Sequence, residues 1–207
     1  YTLSKDLSTG SISYINVFNT NDNGTENLIG LNSGNQVFSG LDLSDGHTYN
    51  ITLNGVDSAG NSNSETVTAV TYDVTKPTIT ILSNDVTDNG HTNEQIIDLT
   101  FTLSEAPKEF KNSNISADNG HIINLSNNGL VYTAQFSSNS DGTNIVSVNA
   151  DTFKDLAGND NALSDVFSWT YDTQKPIVEI TYPLDGSFVN ALSYNIIYKT
   201  NEDLSSG

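Results

Sequence analysis

The chain of 207 residues has no cysteine and no arginine. Without thiols there is no disulfide framework, and the three scattered histidines, His47, His91 and His121, do not make a zinc site by themselves. Cysteine-free chains occur both in the cytosol and among extracellular bacterial proteins, so this absence does not fix a compartment. Positive charge is scarce: seven lysines stand against 25 Asp and Glu, for a formal net charge of −18. Such a chain is repelled by nucleic acid and by anionic membranes, and it attracts cations. Most of these charges simply keep the surface solvated. No apolar run approaches the roughly 18 residues that a membrane-spanning helix needs. No window sustains a 3.6-residue period, and neither a Gly-x-Ser-x-Gly nucleophile nor a phosphate-binding glycine loop occurs. Acidic turns account for the carboxylates better than a paired acid and base, so an enzyme is not expected. No signal peptide is visible, and an internal excerpt would not carry one.

Repetition is what the chain has instead. Tyr72 to Pro77 reads Tyr-Asp-Val-Thr-Lys-Pro, and Tyr171 to Pro176 reads Tyr-Asp-Thr-Gln-Lys-Pro. Their aspartates, Asp73 and Asp172, stand 99 positions apart. Proline fixes its own φ and holds the preceding residue extended, so each stretch reads as a stiff joint. Upstream of the joints lie Asp57-Ser-Ala-Gly-Asn61 and Asp155-Leu-Ala-Gly-Asn159. The stretch Tyr1 to Gly10 matches Tyr198 to Gly207 at Tyr, Asp, Leu, Ser and Gly, a shift of 197. Self-similarity at a fixed period outranks local patterns. The chain therefore reads as one period of a two-domain repeat cut inside a domain. Residues 1–73 form a domain lacking its first strands, 74–172 a complete domain, and 173–207 the opening strands of the next.

Each unit alternates apolar and polar residues, the period of half-buried strands. The first unit is expected to hold strands at Ser11–Phe18, Gln36–Leu43, Tyr49–Leu53 and Glu65–Tyr72, with a polar loop over Asn19–Asn27. A leucine, a turn and then Tyr49 opening a strand is the layout of a tyrosine corner. There the phenol is buried and its hydroxyl bonds backbone near the turn. The second unit is expected to hold strands at Ile79–Ile81, Ile97–Leu103, Leu130–Phe136, Asn144–Ala150 and Val166–Tyr171, with a helical turn over Asp151–Leu156. The third begins with Val178–Tyr182 and Leu192–Tyr198. The fold class is all-β: tandem sandwiches in an elongated string.

Residues 40–61, from Gly40 through the Tyr49 strand to Asn61, resemble the second half of a fibronectin type III domain. The chain as a whole is similar to the Ig-like repeats of giant bacterial and archaeal surface proteins. Their domains commonly end in Asp-x-Ala-Gly-Asn, a strand and an Asp-x-x-x-Pro joint. Two departures stand out: Lys76 and Lys175 replace a usual alanine, and the second domain lacks a corner tyrosine. The resemblance implies a stalk, adhesin or filament segment, extracellular and at the cell surface, with calcium at the joints. By the sandwich topology, Asp155, Asn159 and Glu105 should meet Asp73, a hard-oxygen set suited to calcium. Asp151 and Asp160 are further candidate ligands. The same logic groups Asp6, Asp57 and Asn61 with the joint of a preceding copy, and Asp172 with Glu202 and Asp203. Lys5 stands where Glu202 stands one period later, which disfavours a cation there. Plain turn chemistry, in which Asp bonds its own backbone, is the competing account of all these residues.

Four glycosylation sequons occur, at Asn23, Asn50, Asn114 and Asn124, a number that chance also provides in a chain rich in Asn, Ser and Thr. The alternative function is a carbohydrate- or ligand-binding sandwich of a secreted protein, which a flat aromatic platform would favour. Inward-facing aromatics favour the stalk. The expected partners are adjacent copies, residues 177–207 of one packing head to tail on residues 1–73 of the next, either through a continuous chain or by strand addition. An unknown surface ligand is the other partner, and the rival to head-to-tail packing is folding back within one chain.

Overall fold

A computed structural model describes residues 1–190 and 193–202. Strands and turns make up its regular structure, apart from one 3-10 turn at Asn112–Asn114. Among the described residues no helix is long and apolar enough to cross a membrane.

The first unit contains β1 (Thr2–Leu3), β2 (Thr9–Asn16), β3 (Gly24–Asn27), β4 (Gly34–Asn35), β5 (His47–Val56) and β6 (Ser62–Tyr72). Four of them form an antiparallel sheet in the order β3-β2-β5-β6, while β1 pairs with β4. Three expectations need correction. Val17 and Phe18 fall outside β2, because the buried Asn16 side chain accepts the N–H groups of Phe18 (2.9 Å) and Asn19 (3.0 Å) and turns the chain away. Gly24–Asn27, expected as loop, is a strand: it returns antiparallel along β2. Gln36–Leu43, expected as a strand, carries no ladder and leaves Val37 87% exposed. A strand exists only where a partner does, and β4 has one for a few residues.

The tyrosine corner is present. Tyr49 is fully buried, its hydroxyl oxygen accepts the Ser44 N–H at 2.8 Å, and its proton goes to the Asp22 carboxylate. Asp22 also takes bonds from Asn16 Nδ2 (2.9 Å) and Ser44 Oγ (3.1 Å) and faces His47 Nδ1 at 2.7 Å. The Tyr49 hydroxyl first, then the other partners, hold the Asp22 carboxyl well below the usual range. This network clips the β2–β3 loop onto β5. Little else is sealed: Tyr14, Leu28 and Tyr49 are the buried apolar side chains of this unit. A cavity of about 250 Å³ opens among Leu3, Leu7 and Leu53.

The second unit contains β7 (Ile79–Ser83), β8 (Gly90–Thr92), β9 (Ile96–Leu103), β10 (Ile115–Asp118), β11 (Gly120–Asn128), β12 (Val131–Ser138), β13 (Gly142–Val148) and β14 (Phe167–Tyr171). One sheet runs β11-β12-β9-β7 and the other β10-β13-β14-β8, with only β8 and β14 parallel. Their inner faces share one core. From the first sheet come Ile79, Ile81, Ile97, Leu99, Phe101, Leu103 and Phe136; from the second, Val146, Val148, Phe167 and Trp169. Phe136 meets Trp169 edge to face at 4.7 Å, a favoured aromatic geometry. The helical turn expected over Asp151–Leu156 is not there. Asn161, fully buried, accepts the N–H groups of Thr152 (2.8 Å) and Phe153 (2.9 Å), and Asp151 sits at φ 61°. That side chain holds the loop open so that Phe153 can enter the core.

The third stretch is a pair, β15 (Val178–Tyr182) and β16 (Ile197–Thr200). The second strand was expected from Leu192, which lies outside the described residues, as does Asp203; the observed strand begins five residues later.

Candidate metal site at the interdomain joint

The first joint follows β6. Its Asp73 folds back so that Oδ1 accepts the Thr75 N–H at 3.0 Å. On the side of the first unit, Asp45 takes the Val74 N–H (2.8 Å) and the Thr75 hydroxyl (2.6 Å). On the other side, Asn159 Nδ2 donates to the Asp73 carbonyl (3.0 Å), Ala162 N–H to the Pro77 carbonyl (2.9 Å), and Ser104 exchanges bonds with Thr78 (2.9 and 3.0 Å). The linker is thus bonded to both units. The second joint repeats the plan. Asp172 accepts the Gln174 N–H (2.8 Å), and Asp141 takes the Thr173 N–H (3.2 Å) and hydroxyl (2.9 Å).

Asp45 and Asp141 were not among the sequence candidates. Their signal was a third repeat, Ser-Asp-Gly at Ser44–Gly46 and again at Ser140–Gly142, which reads locally as an ordinary turn.

Three carboxylates meet beside the linker. One oxygen each of Asp73, Glu105 and Asp155 lies within 4.8 Å of the others. Asp73 ends the first unit, Glu105 follows β9, and Asp155 opens the loop before β14, so three separate elements supply the cluster. Asp155 is 1% exposed. Its Oδ1 accepts the N–H groups of Gly158 (2.6 Å) and Asn159 (2.8 Å), and its Oδ2 accepts Asn159 Nδ2 (2.8 Å). Gly158, at φ 108°, lets the loop turn back on its own aspartate. Burial works to raise the Asp155 pKa, but these donors outweigh it and the net shift is downward. Glu105 is shifted upward, by burial first and then by the facing Asp73 and Asp155. Three carboxylates therefore share the site, and Glu105 is the one that holds its proton more tightly than usual. That donor set suits a hard divalent cation such as calcium. Asn159 presents its N–H₂ here, so it orients Asp155 and the linker instead of offering an oxygen.

The other sequence candidates are placed differently. Asp57 and Asn61 form the same self-closing loop, with Ala59 N–H (3.0 Å) and Asn61 N–H (2.9 Å) on Oδ1 and Asn61 Nδ2 (3.0 Å) on Oδ2. There the remaining place is taken by the Lys5 ammonium, which is the chief reason that the Asp57 carboxyl sits well below its usual range. Asp6 is turned away and accepts the Ser33 N–H at 2.6 Å. Asp151 faces Lys76 at 3.8 Å and Asp160 pairs with Lys154, so neither belongs to the cluster. At the second joint, Glu202 Oε1 is buried without a hydrogen-bond partner among the described residues.

Of the sequons, Asn23 and Asn124 are exposed and Asn50 is half-buried. Asn114 is buried, with its Nδ2 donating to the Thr152 carbonyl at 2.7 Å, so the folded domain does not offer that nitrogen for glycosylation.

Two four-stranded sheets closed over a common core define the second unit as an immunoglobulin-like β-sandwich. Residues 73–171 match the family model described as the bacterial Ig-like domain. A solved structure of Clostridium thermocellum CbhA fibronectin(III)-like modules is similar at a TM-score of 0.32 and 17% identity, over 83% of this chain and 81% of that one. That likeness is too slight to carry an argument. No curated protein matches the chain.

Proposed function

We propose that this segment is a non-catalytic structural repeat of a long extracellular stalk, adhesin or filament at the cell surface, stiffened by calcium at the joint beside Asp73. The observation that carries the reading is a contrast between two copies of one loop. In the first unit, Leu3-Ser4 is followed by Lys5, whose ammonium neutralises Asp57. In the second, Leu103-Ser104 is followed by Glu105, which brings a second carboxylate to Asp155 while Asp73 brings a third. On this reading each loop has its cation: an internal one in the first unit, an external one in the second. Calcium there would draw on Asp73 from the linker and on Glu105 and Asp155 from the second unit, with water filling its remaining places. Bound in this way it ties the linker to the domain that follows, which is what a tension-bearing string of modules needs. The net charge of −18 supports an accessible, cation-rich setting.

Isothermal titration of the metal-free chain with calcium chloride tests this. Uptake of calcium that Asp155→Asn and Glu105→Gln each weaken is the expected result, together with a higher melting temperature of the second unit. Absence of heat, with an unchanged melting temperature, overturns the calcium part of the reading.

A further inference from the structure

Asparagine is a thermolabile residue, and a following glycine makes it more so, because no side chain shields the next backbone nitrogen. The chain has five such pairs: Asn23-Gly24, Asn54-Gly55, Asn89-Gly90, Asn119-Gly120 and Asn128-Gly129. Loss of the amide needs two groups free at once. One is the carboxamide, whose Cγ is attacked; the other is the following N–H, whose nitrogen attacks. Four of the pairs are held. Asn23 Oδ1 accepts the Asn16 N–H at 2.7 Å, and Gly24 is paired with Tyr14. Asn54 and Gly55 lie inside β5, with β2 on one side and β6 on the other. Asn89 Oδ1 accepts the Ser168 hydroxyl (3.0 Å), and the Gly90 N–H is bonded to the Thr87 carbonyl (2.9 Å). Asn119 Nδ2 donates to the Ser140 carbonyl (2.9 Å), its Oδ1 accepts the Ser140 hydroxyl (3.0 Å), and Gly120 is paired with Ser138.

Asn128 and Gly129 are the exception. Asn128 closes β11 opposite Val131, so Gly129 and Leu130 alone make the hairpin loop. Gly129 has φ 63° and Leu130 does not share its sign, the layout of a type II′ turn. Both Asn128 and Gly129 are exposed. Among the described residues, neither the Asn128 side chain nor the Gly129 N–H has a hydrogen-bond partner. A hairpin tip also rotates its backbone by local opening, without unfolding the sandwich behind it.

We propose that Asn128 is a site of spontaneous deamidation in the folded chain, and that its isoaspartyl product loosens the β11–β12 hairpin. Hydroxide takes the Gly129 amide proton. The nitrogen bonds to Asn128 Cγ, the carboxamide C–N bond breaks, and water returns the proton to the departing ammonia. A succinimide ring remains. Water opening the ring at Cγ leaves aspartate; water opening it at the backbone carbonyl leaves isoaspartate, with the chain running through Cγ. One water is consumed and one ammonia released, and nothing is oxidised or reduced. Isoaspartate adds one carbon to the backbone of a two-residue loop. That loop is fastened: the Leu130 carbonyl accepts the Leu103 N–H at 3.0 Å, at the end of β9. The lengthened turn cannot keep both this bond and the pairing of Asn128 with Val131. The proposal does not depend on calcium, so its failure leaves the metal reading standing.

The test is to age the chain in warm, mildly alkaline buffer, once folded and once in urea. Peptide mapping by mass follows the change from amide to acid at each Asn-Gly pair, and an isoaspartate methyltransferase reports the isomer. In the folded chain Asn128 should convert several-fold faster than any of the other four, with isoaspartate among its products. In urea the five rates should converge. Another pair converting as fast as Asn128 in the folded chain, or Asn128 staying intact there while it reacts in urea, overturns the assignment. Scanning calorimetry tests the consequence. The aged chain should show the second unit melting below that of the fresh chain, while an aged Asn128→Gln chain should not change with time. Asn128→Asp adds the same charge without the extra carbon, and it should melt with the fresh chain. An aged chain that melts as the fresh one does overturns the loosening. Asn128→Asp melting as low as the aged chain overturns the added carbon as its cause.

Discussion

Replacing Glu105 by lysine should convert the second unit to the arrangement of the first, and it is the most direct perturbation of the joint. In the native cluster Glu105 faces two carboxylates whose oxygens lie within 4.8 Å. Two unit charges at about that separation interact by about 1 kcal/mol in bulk water and about 3.5 kcal/mol at an effective dielectric of about 20. Glu105 and Asp73 are half-exposed, so the lower end governs. Reversing one charge turns two repulsions into attractions, while ordering a lysine side chain costs about 1–2 kcal/mol of rotamer freedom. Each pair swings by about 2 kcal/mol, so the net gain is about 2–3 kcal/mol, which in a domain near 100 residues raises the melting temperature by about 8–24 °C. Scanning calorimetry in a chelator should show Glu105→Lys melting above the native protein, and adding calcium should raise the native protein without moving the variant. The argument fails if the variant melts no higher in chelator, or if calcium still stabilises it.

Tyr49→Phe should lower the stability of the first unit by about 1–3 kcal/mol, because it strands the Ser44 N–H and removes the first partner of Asp22; urea denaturation showing no change would mean that the clip carries no weight. In chelator, the stability of the second unit should fall as pH rises from the ordinary glutamate range, about 4.3, toward neutrality. The folded state holds the Glu105 proton more tightly than the unfolded chain does, so losing that proton costs the folded state. Asp22 and Asp57 act in the opposite sense in the first unit. Their lowered pKa values give stability that is complete above about pH 3.9 and is lost as pH falls below it. Urea midpoints of the two units against pH separate these limbs, and calcium should flatten only the neutral one. A neutral limb that rises in chelator contradicts the assigned role of Glu105.

What could be read in advance followed from long-range repetition and period-two alternation. β9 alternates strictly, so its inward residues were plain. The Asp-x-Ala-Gly-Asn loops and the joints fix which end of a sandwich each occupies, and this is why the meeting of Asp73, Glu105 and Asp155 was legible. β11 was not, because Asn124 at φ 55° introduces a bulge between Ile123 and Ser126 that breaks the alternation. Gln36–Leu43 has the composition of a strand, but a strand also requires an edge to lie against. The burial of Asn114 and the orientation of the Asn159 amide depend on residues 38 and 86 positions away, which no local pattern reports.

The two joints show which part of this design is constant and which varies. The constant part is backbone fastening: Asp73 and Asp172 cap the N–H two residues on, and Asp45 and Asp141 reach back from a Ser-Asp-Gly turn to grip the threonine or valine that follows. These bonds need no cation, and they set the direction in which each unit leaves the last. The variable part is the residue two positions after β1, β9 and β16: Lys5, Glu105 and Glu202. Lys5 neutralises its loop aspartate, Asp57, from within the unit. Glu105 instead faces Asp73 and Asp155, and on the proposed reading an external calcium ion takes the place of the ammonium. On that reading a single side chain decides whether the loop aspartate meets a cation of its own unit or an external one, without altering the sandwich that carries it.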